Sequence, residues 1–65
     1  MLLSIVVPCY NEEAVLLELH GRLVATLEHL EDVNFEIVYT DDGSRDHTPD
    51  FLRQLQATDS RVRVV

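Results

Sequence analysis

Three features of this 65-residue sequence predict an α/β fold built on a parallel sheet. Two short apolar runs rich in β-branched residues, Leu2 to Val7 and Phe35 to Thr40, each stop abruptly at polar residues. A helical pattern follows each of them, and a third β-type run, Arg61 to Val65, comes last. The order strand, helix, strand, helix, strand is the half-Rossmann arrangement. Residues 1–65 therefore read as one incomplete domain, with no internal repeat, low-complexity tract or linker.

Leu2 to Val7, closed by Pro8, is the near-continuous apolar run of a strand covered on both faces. Val15, Leu16, Leu19, Leu23, Leu27 and Leu30 then recur at spacings of three and four and predict an amphipathic helix. Asn11 is its expected N-cap, and Glu12 and Glu13 fall in a first turn where the helix dipole favours them. Glu18, Arg22 and Glu28 belong to the wet side. Gly21 costs about 1 kcal/mol relative to Ala inside a helix, so close packing on the sheet is its expected reason. Glu31 to Asn34 reads as a loop, Phe35 to Thr40 as the second strand and Asp41 to His47 as a turn-rich loop. Thr48 and Pro49 form a helix start, Thr as N-cap and Pro at the first helical position. Phe51, Leu52 and Leu55 supply the apolar face of this short helix, and Thr58 to Ser60 turns the chain into the third strand.

Right-handed crossovers running in one direction put both helices on the same side of the sheet. The other side, with half of the Ile5-Val6-Val7 and Ile37-Val38-Tyr39 side chains, is then bare. Exposing such surface is unfavourable by about 25 cal/mol per Å2. More of the same chain, or a second copy in a homo-oligomer, is expected to cover it.

A formal net charge of -7 disfavours a nucleic-acid partner. It is compatible with a nucleotide, because a divalent cation can bridge carboxylates to phosphates. A single cysteine, Cys9, forms no internal disulfide and no metal cage, and it reads as a small packing residue. His20, His29 and His47 lack ligand spacing. No apolar run approaches the roughly 20 residues that span a bilayer. Met-Leu-Leu lacks the basic start of a signal peptide. The chain reads as cytoplasmic, at the cytosolic face of a membrane if a longer parent is anchored there.

Ligands of open α/β sheets bind just beyond the carboxyl ends of the strands. The first strand ends in Pro8-Cys9-Tyr10-Asn11-Glu12-Glu13 and the second in Asp41-Asp42-Gly43-Ser44-Arg45-Asp46-His47-Thr48. An aromatic ring beside paired carboxylates suits a polar, planar ligand. Gly43 opens a backbone conformation closed to other residues, and Ser44, Asp46 and Thr48 can satisfy amides in the turn. Simpler readings exist for each residue: a solvated turn for Asp41 and Asp42, packing for Tyr10, a dipole partner for Glu12.

At these two blocks, about thirty residues apart, the chain resembles the family 2 inverting glycosyltransferases, which have the GT-A fold. The resemblance covers the whole chain but only the first quarter to third of such an enzyme. Its Tyr-Asn-Glu-Glu wording is similar to that of the polyprenyl-phosphate sugar transferases, of dolichyl- and undecaprenyl-phosphate type. By this resemblance Tyr10 packs against the nucleotide base, Pro8 lies beside it, and Glu12 sits near base or ribose. Asp42 accepts a hydrogen bond from the base ring and Asp41 supports the loop. The implied ligand is a UDP- or GDP-linked sugar. The family binds Mn or Mg through an Asp-x-Asp motif beyond the third strand, and neither that motif nor the later carboxylate base is present here. Thr40 stands where an apolar residue is usual. Residues 1–65 thus carry a nucleotide half-site, with activity alone not expected. The alternative is a non-catalytic, self-associating or regulatory α/β module that retains the half-site. A phospho-receiver domain places its acidic pair after the first strand, and a dinucleotide-binding domain needs Gly-x-Gly-x-x-Gly there; this sequence has neither.

Overall fold

The two motif-bearing runs lie side by side in one sheet. A computed structural model describes residues 2–65, with the order β1 (Leu2–Cys9), α1 (Leu16–Glu28), β2 (Asn34–Asp41), α2 (Thr48–Thr58) and β3 (Val62–Val64). The sheet is parallel, with β2 between β1 and β3. β1 pairs with β2 from Leu2 opposite Asn34 to Cys9 opposite Asp41, so the two strands end at the same level. This is the predicted half-Rossmann arrangement.

Side chains alternate across the sheet, and one side holds the core. Cys9, Phe35, Ile37, Tyr39 and Val62 from the strands are buried with Leu16 and Leu27 of α1 and Leu52 and Leu55 of α2. Leu3, Ile5, Val7 and Val64 pack against them. Both helices therefore cover the same side. On the other side Leu2 and Val6 are more than three-fifths exposed, Pro8 is exposed and Val38 is half-buried. The bare face is not wholly apolar: the Ser4 hydroxyl donates to Glu36 at 2.6 Å, and Arg63 approaches the same carboxylate at 3.6 Å.

Several boundaries differ from expectation for identifiable reasons. Pro8 does not close β1; it sits inside it, opposite Thr40. In a parallel strand alternate residues address the neighbour, and Cys9 does so by accepting from the Asp42 amide at 2.8 Å. Pro8 thus faces the open edge, where its missing N–H leaves no partner unmatched. Asn11 is not the N-cap of α1. It has φ +50°, and α1 starts later, at Leu16, with Val15 in the cap position and no side-chain cap. Glu12 and Glu13 consequently precede the helix, and Glu18 is the acidic residue of its first turn.

The later start also selects a different stripe. Leu16, His20, Leu23, Val24 and Leu27 are buried or half-buried, whereas Val15, Leu19 and Leu30 are exposed. Glu18 and Arg22 pair on the wet side at 2.8 Å, as their placement there predicts. Gly21 does not mark close packing: it is exposed, and a Cβ there would meet nothing within 4 Å. Thr48 is the first residue of α2 rather than its cap, with His47 in the cap position. Arg61 lies before β3, its guanidinium 4.5 Å from the centre of the Phe35 ring. No described helix is long and apolar enough to cross a membrane.

Candidate functional site

Beyond Cys9 and Asp41 the chain leaves the sheet in two loops, residues 10–15 and 42–47, that fasten to each other. The first tie is the Asp42 amide on the Cys9 carbonyl, which carries the ladder one step past the strands. Gly43 then turns with φ +80°, the left-handed backbone its lack of a Cβ permits. Asp41 Oδ1 accepts the Ser44 amide at 3.3 Å and holds that turn.

From here the side chains of each loop serve the backbone of the other. The Ser44 hydroxyl accepts the Asn11 amide at 2.9 Å, and Asn11 Oδ1 accepts the Arg45 amide at 2.8 Å. Thr48 Oγ1 accepts the Glu12 amide at 2.8 Å. Asp46 Oδ2 accepts the Glu13 amide at 3.2 Å while its Oδ1 accepts that of Thr48 at 2.9 Å. The Glu13 carboxylate returns the favour to the His47 amide at 3.3 Å. The Glu12 carbonyl takes both Val15 and Leu16 amides, at 3.0 and 2.9 Å, and so begins α1. These bonds occupy amides that a helix start or loop leaves orphaned. Thr48 is fully buried, and among the described residues no buried side-chain N or O atom lacks a partner.

What the clasp leaves free defines the candidate site. Tyr10 is 52% exposed, and Pro8 and Asp42 are also exposed. Glu12 and Asp41 are half-buried. Among the described residues the Glu12 and Asp42 carboxylates make no hydrogen bond or ion pair. The five expected residues thus gather at one edge of the sheet, but in two roles. Asp41 is committed to its loop, whereas Tyr10, Glu12 and Asp42 have side chains available to a ligand.

The edge is strongly acidic, with Glu12, Glu13, Asp41, Asp42 and Asp46 against Arg45. Burial pushes the Cys9 thiol up, and the Glu12 and Asp41 carboxylates add to the shift. Cys9 is accordingly a packed thiol, not a nucleophile. Partial desolvation acts to raise Asp46. Hydrogen bonds from the Thr48 hydroxyl and amide and from the Glu13 amide outweigh it and hold the carboxyl below its usual range. Among the described residues no three His, Cys, Asp or Glu side chains converge as metal ligands.

Two features escape a reading of the sequence. Asn11 and Glu13 act as acceptors between loops; their only trace is a polar run that fits neither strand nor helix periodicity. The second is a buried polar chain beneath the sheet, in which Tyr39 Oη lies 2.8 Å from His20 Nδ1 and His20 Nε2 lies 3.8 Å from Asp59.

The stretch that contains this edge also matches known proteins. The model of glycosyl transferase family 2 matches residues 4–65. The chain belongs to that family. Among its relatives, the uncharacterized glycosyltransferase YkcC of Bacillus subtilis is 39% identical over 62 residues, 95% of this chain and 19% of the relative. The undecaprenyl-phosphate 4-deoxy-4-formamido-L-arabinose transferase of Pseudomonas syringae is 53% identical over 51 residues, 78% of this chain and 15% of the relative. The validoxylamine A glucosyltransferase of Streptomyces hygroscopicus is 46% identical over 63 residues, 97% and 14%. This family 2 chain therefore spans less than a fifth of the length of these curated relatives, less than the quarter to third expected from the sequence.

Proposed function

We propose that this chain is the nucleotide-holding, N-terminal part of a family 2 glycosyltransferase that takes a uridine or guanosine diphosphate sugar. Tyr10 stacks on the base, and Asp42 accepts from a base ring N–H. Glu12 lies within reach of the ribose hydroxyls, beside Pro8. The observation that carries this reading is the pair Tyr10 and Asp42: both exposed, on adjoining strand ends, with neither consumed by the clasp. The surplus of carboxylates favours the base and ribose end of the ligand here, since bare phosphates would be repelled.

In the full enzyme the sugar passes to its acceptor in one displacement, with inversion. Mg or Mn would neutralise the leaving diphosphate. Its ligands, in this proposal, lie in other parts of such an enzyme. Relatives named for undecaprenyl phosphate support a polyprenyl phosphate acceptor, and with such a lipid acceptor the enzyme would work at a membrane. A relative named instead for validoxylamine A matches the same stretch, which supports a donor-side role for these residues. A non-catalytic module is not favoured, because the relatives matched here are named as transferases.

Calorimetric titration of the chain with UDP and with GDP tests the reading. One nucleotide is expected to bind, and Tyr10→Ala to weaken it by about 1–3 kcal/mol, the worth of one stacked base. Asp42→Asn should weaken the same nucleotide by replacing an acceptor with a part-donor. Absence of binding by either nucleotide at millimolar concentration contradicts it.

A further inference from the structure

Side chains that do not line the candidate site nevertheless decide where its two contact residues stand. Tyr10 is followed by three residues whose amides all end on side chains of the other loop or of the first residue of α2: Asn11 on Ser44, Glu12 on Thr48 and Glu13 on Asp46. Asp42 opens the segment that carries those acceptors. The separation of ring and carboxylate is thus held by these three residues together with the Cys9–Asp42 and Asn11–Arg45 bonds. Thr48 is the innermost of them, fully buried, its hydroxyl accepting the Glu12 amide while its own amide donates to Asp46. Asp46 spans the gap with both oxygens, one on each loop. Ser44 is the outer tie, at a more exposed point.

We infer that Thr48 and Asp46, with Ser44 as the outer tie, are positioning residues of the nucleotide site, setting the distance between Tyr10 and Asp42 without touching the ligand. The inference rests on the nucleotide reading above. Its physical basis is that the Tyr10 segment has no strand or helix ladder of its own, the β1 ladder ending at Cys9 and α1 beginning at Leu16. Without the three acceptors its amides would turn to water and the loop would sample many positions. A ligand would then have to order that loop on binding. Displacements of about 1 Å are enough to change site performance severely.

The test uses the chain with UDP and GDP as probes, in calorimetry paired with circular dichroism to establish that each variant is folded. Thr48→Val keeps the volume but removes the acceptor. It is expected to weaken the bound nucleotide about tenfold or more, and Thr48→Ser, which keeps the hydroxyl, to restore affinity close to that of the unmodified chain. Combining Thr48→Val with Tyr10→Ala should weaken binding little more than Tyr10→Ala alone, because Thr48 acts through Tyr10. Should Thr48→Val fail to fold, Ser44→Ala carries the test, with a several-fold loss expected. Unchanged affinity in Thr48→Val, or in Ser44→Ala where that variant is the one used, overturns the inference and leaves the nucleotide reading standing. Fully additive losses in the double variant overturn it too, since they assign Thr48 an effect independent of Tyr10. Failure of the unmodified chain to bind either nucleotide removes both.

Discussion

Tyr39 and His20 form a polar pair inside an otherwise apolar core. A phenol at a fully buried strand position needs a partner, and the imidazole of α1 supplies it at 2.8 Å. Tyr39→Phe leaves that ring nitrogen unmatched and is expected to cost about 1–3 kcal/mol, read from urea unfolding near neutral pH. Burial drives the His20 pKa below its usual 6.5, with Arg61 pushing the same way and Asp59 only partly opposing. The fold thus favours neutral His20, and its contribution is complete above pH 6.5 and lost as pH falls through the lowered folded value. Asp46 and Asp59, both held below 3.8, add their loss only at still lower pH. Tyr39 acts at the other extreme: burial raises it to about 12, so its contribution holds below pH 10 and disappears as pH rises through about 12. Unfolding curves across pH should show a decline beginning below 6.5, and His20→Gln should remove that first step. None of this pairing is legible in the sequence, where residues 20 and 39 belong to separate periodic patterns and no ligand or partner spacing singles out His20.

At the scale of elements, α1 shows what a pattern does and does not specify. Its leucines occur in two overlapping phases, and periodicity names the helix without choosing between them. The choice comes from the clasp, which delays the start to Leu16 and turns His20 and Val24 inward while Leu19 and Leu30 stay exposed. Gly21, on the outer surface with open space around it, has no packing role. Gly21→Ala is therefore expected to stabilise the chain by up to about 1 kcal/mol, seen as a higher thermal midpoint. β2, α2 and β3 were legible to within one residue at each end, because Phe35 to Thr40 and Leu52 to Leu55 carry single, unambiguous phases. Pro8 was legible as a punctuation mark but not as an edge residue, since the position of β1 in the sheet is a property of pairing. The motif loops were legible as a site by residue type alone. Which of their polar groups hold the loops and which face a ligand depends on amide directions that residue type does not encode.

For the whole molecule the central feature is one helix layer on one side of a three-stranded sheet. The bare side follows from crossover handedness and is legible in the sequence. The Ser4, Glu36 and Arg63 chain across it was not, because cross-strand neighbours are fixed by register. Val6, Leu2, Pro8 and Val38 remain an uncovered apolar surface. The chain is expected to self-associate through it in sedimentation experiments, and Val6→Lys to shift it toward monomer despite the net charge of -7 already opposing association. A monomer at every concentration would show the polar crossing to be protection enough. The claim that the carboxyl edge of this sheet is a nucleotide site has its most direct test in amide chemical-shift mapping with UDP and GDP. Shifts are expected at Tyr10 to Glu13 and Asp41 to Arg45, with the opposite end around Leu30, Val33 and Asn34 unmoved. Shifts confined to that opposite end, or none anywhere at saturating nucleotide, would contradict it.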